Sequence, residues 1–193
     1  MSLTQRRLSP AMEYRFDDAL PILRRTPSVL RALLAGLPDR WTRATEGPGT
    51  WSPFDVVGHL IHGERDDWVP RVEHLLEHGD AVPFRPFDRE AMFRNSKGKT
   101  LTELLDEFES LRARSLERLE ALSLGDGDFG RTGLHPALGR VTLGHLLATW
   151  VAHDLAHLSQ IVRTMARQYT DAVGPWAEYI SMLKSAKEAG RVG

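Results

Sequence analysis

The chain has 193 residues, of which 41% are hydrophobic and 26% charged, the balance of a water-soluble globular protein. A chain of this length buries roughly 70% of the surface that it exposes when unfolded, so it needs no metal or disulfide merely to fold. Its 25 basic and 26 acidic residues leave a net charge of −1, which argues against an electrostatic nucleic-acid binder. The absence of cysteine excludes disulfides, zinc sites with thiolate ligands and a protein thiol nucleophile.

The sequence predicts a cytoplasmic protein of one domain. No apolar run approaches the roughly 18 residues needed to span a membrane. No apolar segment of the kind that a secretory signal requires follows Arg6 and Arg7. We expect a single domain over residues 1–193, with its core over about 17–185 and a polar lead-in over 1–16.

The first predicted helix begins at Thr26 and Pro27, because threonine caps a helix well and proline suits its first turn. Residues 17–23 predict an earlier turn of the same helix, bent at Pro21. Gly36 ends the segment. The apolar residues that recur at helical spacing are Val29, Leu30, Leu33, Leu34 and Leu37.

The second predicted helix follows a loop over residues 39–51 and begins at Ser52-Pro53. It extends to about Glu77, with a kink at Pro70. A polar loop over residues 80–99 follows, and a loop of that length often forms a lid or the edge of a site.

The third and fourth predicted helices have clear starting signals. Thr100 and Glu103 form a capping-box pattern, and leucines at helical spacing continue to Leu122. The charged run over residues 112–120 on this helix predicts an exposed face. A glycine-rich loop over 123–140 leads to the fourth helix, from Thr142 to about Tyr169.

A last short helix is predicted from Gly174-Pro175, and only residues 131–141 suggest an extended stretch. The predicted fold is therefore all-α: a four-helix bundle with an extra short C-terminal helix and long inter-helix loops. We expect most tryptophans to pack between helices, and the loop phenylalanines to wall a pocket or cover the bundle. These residues are Trp51, Trp68, Trp150 and Trp176, and Phe84, Phe87 and Phe93.

Two of the eight histidines stand out on the fourth helix. His153 and His157 are four residues apart, which places them one turn apart on one face. When the residues are projected around the helix axis at about 100° per residue, both histidines fall with the apolar stripe inside an arc of roughly 80°. This stripe faces the bundle interior. Asp154 projects toward the same interior, where it could orient a metal-bound histidine, pair with an arginine or accept a proton.

A third ligand must come from another helix, and His59 in the second helix is the best candidate. The neighbouring Gly58 permits close helix approach, and His62 is the competing choice. His74 and His78 have the same spacing as the first pair, but they stand beside glutamates and predict a solvated face. The segment 65–67, Arg-Asp-Asp, predicts a salt-bridged surface.

These pieces resemble the DinB-like, or YfiT-like, superfamily of metal-binding four-helix bundles. The resemblance spans about residues 20–185. It rests on Trp51-Ser52-Pro53 with Val57-Gly58-His59-Leu60 and Glu64-Arg65, on Thr142-Leu143 with Ala152 through Ile161, and on Tyr169 with Val173-Gly174-Pro175-Trp176.

The resemblance implies a metal site made by His59, His153 and His157. From its interior position, Asp154 is expected to be a supporting group or a base at this site. The resemblance also implies a divalent ion, most plausibly Zn or Ni, a homodimer, and a thiol-dependent S-transferase activity. Three neutral imidazoles leave an open coordination position, the mark of a catalytic site. Because the chain has no cysteine, any thiol is a small-molecule cosubstrate that attacks an electrophilic substrate.

Two alternatives stay open: a non-catalytic metal- or ligand-binding stress-response bundle, and a metal-dependent hydrolase. A pocket over the three histidines, lined by residues from 80–99 and 123–140, favours an enzyme. A closed and dry cluster favours binding alone. We expect neither a nucleic-acid partner nor a membrane partner.

Overall fold

Seven α-helices and one β-hairpin form the regular structure of residues 14–183, the part of the chain that the computed structural model describes. The helices are α1 (Phe16–Leu34), α2 (Asp39–Thr42), α3 (Pro53–Asp66), α4 (Trp68–His78), α5 (Ala91–Ser96), α6 (Leu101–Ala121) and α7 (Leu143–Arg167), and the strands are β1 (Thr132–His135) and β2 (Gly139–Thr142). The body of the fold is a four-helix bundle of α1, α3 with α4, α6 and α7, as the sequence predicts.

Helix α1 is one continuous helix through both of its prolines, so the predicted start at Thr26 is wrong, whereas the earlier turn predicted over 17–23 belongs to this helix. The Thr26 hydroxyl donates instead to the carbonyl oxygen of Ile22 at 3.3 Å, within the helix. Pro27 has no N–H to donate to the carbonyl of Leu23, four residues earlier. That carbonyl accepts a hydrogen bond from Arg112 at 2.8 Å.

The second predicted helix is divided at Asp67, three residues before the proline that was expected to kink it. Asp67 has φ −115° and ψ −73°, which ends α3 and starts α4 in a new direction. The carbonyl of Asp66 has no N–H to accept from at Pro70, so the helix cannot continue smoothly. The helix start at Ser52 is as predicted, and α4 ends at His78, close to the predicted end near Glu77, with Gly79 following at φ +54°.

The extended stretch predicted over 131–141 is the β-hairpin, and the loops contain a further helix and a 3₁₀ turn that were not predicted. Residues 80–99 include α5, and residues 123–140 include a 3₁₀ turn and most of the antiparallel hairpin of β1 and β2. The predicted C-terminal helix is two 3₁₀ turns, Gly174–Tyr179 and Ser181–Leu183. Trp176 in the first turn is 71% exposed and does not pack between helices.

Two apolar clusters fill the bundle, and a polar layer lies between them. On α7, Trp150 belongs to one cluster and Ile161 to the other, with His153, Asp154 and His157 between them in sequence. On α6, Arg112 likewise lies between Phe108 and Leu116, which belong to different clusters. The sites described below lie in this layer.

No helix among residues 14–183 is long and apolar enough to cross a membrane. The N-terminal lead-in predicted over 1–16 falls mostly outside the described residues, although Tyr14 and Phe16 contact the ring of Phe129.

Candidate metal centre

Helix α7 presents two histidines on its inner face. Its start is set by Thr142, whose hydroxyl accepts a hydrogen bond from the backbone N–H of His145 at 3.0 Å. From that cap the helix runs unbroken past His153 and His157. Their rings are 4.3 Å apart, and the two Nε2 atoms are 3.1 Å apart.

Helix α3 brings His59 to the same point. Its first turn is held by a capping box in which Ser52 and Asp55 exchange hydrogen bonds. Gly58 lies against Ser96 of α5, and a Cβ atom at Gly58 would come 2.4 Å from the serine oxygen, so glycine is needed for this close approach. The Nε2 atom of His59 lies 3.0 Å from that of His153.

One ring nitrogen from each of the three histidines lies within 4.8 Å of the other two. Zn–N bonds of about 2.0–2.1 Å and tetrahedral angles place two ligating nitrogens about 3.3 Å apart. The separations of 3.0 and 3.1 Å around His153 are close to that spacing. Three converging imidazole nitrogens therefore fit a divalent cation, both in geometry and in donor chemistry.

The protonation of the three rings also suits a cation. Burial lowers the pKa of His59 and of His153 to about 3, and lowers that of His157, so the neutral forms are favoured at pH 7. The Nδ1–H of His157 donates to Gln160 Oε1 at 2.8 Å. This bond leaves the lone pair of His157 Nε2 directed into the cluster.

A pocket of about 560 Å³ opens over the three histidines. Its walls come from both of the loops that the sequence singles out. The 80–99 loop contributes Pro86, Phe87 and Arg89; the 123–140 loop contributes His135, Pro136 and Ala137; and Trp51, Asp67 and Arg71 complete the lining. The pocket is the feature expected of an enzyme rather than of a closed binding site.

The sequence matches the model of the DinB superfamily over residues 22–161, which is most of the chain. The chain belongs to this superfamily. The match includes all three histidines of the cluster and both helices that carry them.

Two solved structures share the fold. YfiT from Bacillus subtilis, described as a probable metal-dependent hydrolase with an unusual four-helix bundle topology, is 23% identical, with a TM-score of 0.68 over 83% of this chain and 93% of YfiT. TT2238, described as a four-helix bundle protein, is 24% identical, with a TM-score of 0.53 over 75% of this chain and 96% of TT2238. Among curated proteins, no sequence matches significantly.

Asp154 is fully buried beside the histidine cluster and pairs with Arg112. Its Oδ2 accepts from Arg112 Nη1 at 2.6 Å, and its Oδ1 accepts from Nη2 at 3.0 Å. Of the three roles open to it on sequence grounds, pairing with an arginine is the one that the structure shows. Asp154 does not line the pocket.

The other histidines lie outside the cluster. His62, the competing choice of third ligand, is buried but does not join the cluster. Its ring packs against Phe87 with centroids 4.5 Å apart, and its Nδ1 lies 2.8 Å from Asp66 Oδ2. His74 and His78 are half-buried rather than fully solvated, and the Nε2–H of His74 donates to the carbonyl of Val82 at 2.8 Å.

The three loop phenylalanines have three different surroundings. Phe87 lines the pocket, with its ring centroid 5.7 Å from that of His59. Phe84 is buried in the bundle core, and Phe93 is 42% exposed.

Sequence reasoning missed four residues around the site. Asp67 was expected on a salt-bridged surface, and Arg71 was not considered. Both line the pocket, because the break between α3 and α4 turns this segment toward it. Arg112 was expected on an exposed face and is 1% exposed. Gln160 lies three residues after His157, a spacing that places the two side chains next to each other on a helix and could have predicted their contact.

Proposed function

We propose that the chain is a divalent-metal-dependent enzyme that activates a low-molecular-weight thiol for attack on an electrophilic substrate. His59, His153 and His157 are the ligands, and Zn or Ni is the ion. The observation that carries the proposal is that three neutral imidazole nitrogens converge at the floor of an open pocket. The family resemblance supports thiol transfer as the reaction.

The protein's own residues supply binding, orientation and access. When bound, a divalent ion supplies Lewis acidity that lowers the pKa of a thiol or water ligand toward neutrality. Gln160 holds the His157 ring in the tautomer that leaves Nε2 free. Asp154 acts as a positioning residue: its bonds to Arg112 fix the turn of α7 that carries His153.

A metal-dependent hydrolase is the second candidate. The description of the similar YfiT structure favours it. In that case the same three histidines would hold an ion for activating water instead of a thiol, and the pocket would bind a hydrolysable substrate without a thiol cosubstrate. A non-catalytic binding bundle is less well supported, because the cluster faces a pocket of about 560 Å³ rather than a sealed interior.

The first experiment is metal content by mass spectrometry on the untagged protein and on His59→Ala and His157→Ala. We expect about one divalent ion per chain in the wild type and loss of the ion in both variants. His78→Ala, which removes a half-buried histidine outside the cluster, is the matched control and should keep the ion. An ion that survives in both cluster variants would overturn the ligand assignment.

The second experiment separates the two reactions. The metal-loaded protein is assayed with small thiols and an aryl chloride, and separately with activated esters in the absence of thiol. Thioether formation that needs both the ion and the thiol supports S-transfer, whereas ester cleavage without thiol supports the hydrolase. Homodimerisation and the cytoplasmic location stay predictions of the sequence.

A further inference from the structure

Arg89 places an uncompensated positive charge on the pocket lining. Its side chain is exposed and lines the pocket, and within residues 14–183 it takes part in no ion pair or hydrogen bond. Arg89 and the three histidines of the cluster line the same pocket. A guanidinium group in this position can bind a carboxylate through two parallel hydrogen bonds.

The second arginine of the lining is compensated. Arg71 Nη1 lies 2.7 Å from Asp67 Oδ1, and Arg71 Nη2 donates to the carbonyl of Arg85 at 3.3 Å. Because Arg71 is paired with Asp67, the single charge of Arg89 is the one in the lining that is left for a ligand. That charge matches a monoanion better than a dianion, because Asp67 repels excess negative charge from within the same lining.

Aromatic rings lie beside the histidines in the same pocket lining. The centroid of Trp51 is 4.8 Å from that of His59 and 6.1 Å from that of His157, and Phe87 approaches His59 from another side. These rings form an apolar wall on which a flat or aliphatic body can rest.

We propose that the pocket takes an organic monocarboxylate. Its carboxylate pairs with Arg89, its apolar body lies against Trp51 and Phe87, and its reacting end faces the three histidines. This substrate class rests on the proposed function for its chemical outcome, but the binding itself does not require turnover.

Binding is measured with benzoate, its neutral isostere benzamide and the dianion phenyl phosphate. The titration follows tryptophan fluorescence of the metal-free protein, so that no carboxylate can bind through an ion, and is then repeated with Zn²⁺ present. The variants are Arg89→Gln and the matched control Arg85→Gln, an exposed arginine of the same loop whose side chain lies outside this pocket.

We expect benzoate to bind more tightly than benzamide and phenyl phosphate in the metal-free wild type. Arg89→Gln should weaken benzoate binding about fivefold, as expected for one solvent-accessible ion pair, and leave benzamide unchanged. Arg85→Gln should change neither, and added salt should weaken only benzoate binding.

Equal binding of benzoate and benzamide, equal effects of the two variants, or no benzoate binding at all would each overturn the inference. Arg89-dependent benzoate binding in a protein that shows no turnover with any thiol or ester would keep the inference and overturn the proposed function. If a carboxylate substrate is turned over equally well by the wild type and Arg89→Gln, the proposed function is kept and this inference is overturned.

Discussion

Two polar clusters lie side by side in the bundle. One pairs its buried polar groups with each other, whereas the other leaves some of them without partners among the described residues. Adjacent residues of α7 belong to different clusters: His153 to the histidine cluster and Asp154 to a charged network around Arg112. Helix α3 also contributes to both, through His59 and Glu64. The difference between them separates a structural network from a ligand site.

The Arg112 network is satisfied almost entirely from within. All five N–H groups of the guanidinium find acceptors: two bonds each go to Glu64 and Asp154, and one goes to the carbonyl of Leu23 that Pro27 leaves free. Within this network, Glu64 Oε2 is the one carboxylate oxygen that lacks a hydrogen-bond partner among the described residues, and burial raises the pKa of Glu64. The network is closed to solvent and contains its own counter-ions.

The histidine cluster is unsatisfied without a ligand. Its three rings are neutral, and His153 Nε2 is shared between two neighbouring nitrogens. One N–H cannot serve both contacts, so at least one pair of nitrogens faces each other without a proton between them. A cation resolves this conflict, and the open pocket gives it access. Buried polar groups that pair with one another therefore form a structural network. Buried polar groups that converge without partners indicate a binding site.

The largest expected effect is from Arg112→Met. The change leaves Glu64 and Asp154 buried without a counter-ion, and we expect the free energy of unfolding to fall by about 3–5 kcal/mol in urea denaturation. Arg118→Met on the same helix removes a half-exposed arginine that pairs with Glu73, and it should cost less than about 1 kcal/mol. Adding Glu64→Gln and Asp154→Asn to Arg112→Met should recover part of the loss. Similar losses in the two single variants would contradict the structural role of the network.

A smaller effect is expected from pH in the metal-free protein. In the folded chain the pKa of His59 and of His153 is about 3, against an ordinary value of 6.5. As pH falls below about 6.5, the unfolded chain takes up protons that the folded cluster does not, so stability is lost with falling pH.

By pH 5.5 the loss should reach about 1 kcal/mol for each of these two histidines, measured by urea denaturation against pH 7.5. His59→Gln should remove its share of this dependence, whereas the Arg112 network stays intact. An identical pH profile in wild type and variant would show that His59 is not held neutral.

The smallest effect is expected from Gln160→Ala. This change removes the hydrogen bond that orients the His157 ring, and loss of such supporting bonds typically weakens metal affinity about 10-fold or more. Zn²⁺ titration calorimetry measures the affinity. Gln168→Ala, whose side chain bonds only its own helix at Thr164, is the control and should leave the affinity unchanged. Equal affinities of wild type and Gln160→Ala would remove Gln160 from the site.

Local signals predicted most of the fold. The caps at Ser52, Thr100 and Thr142 were read correctly because each involves residues only three positions apart. The break at Asp67 was displaced by three residues, because the proline signal marks a missing hydrogen bond and not the point where the chain turns. The start signal at Thr26-Pro27 was misleading because this pair resembles a cap, although the earlier turn predicted over 17–23 is part of α1.

By itself, the sequence determined the helical class and the two α7 histidines on one face, since caps and four-residue spacing act within one helix. Position beside Gly58 made His59 the best third ligand with His62 as the competing choice, and the family resemblance supported His59. Only the tertiary structure decided that its ring meets His153, that Asp67 and Arg89 line the pocket, and that Arg112 is buried. The reason is physical: whether a charged side chain faces water or a counter-ion depends on helices far away in the chain. The charge pattern of α6 is the same whether Arg112 faces water or a buried counter-ion, so the sequence of this helix alone does not distinguish the two.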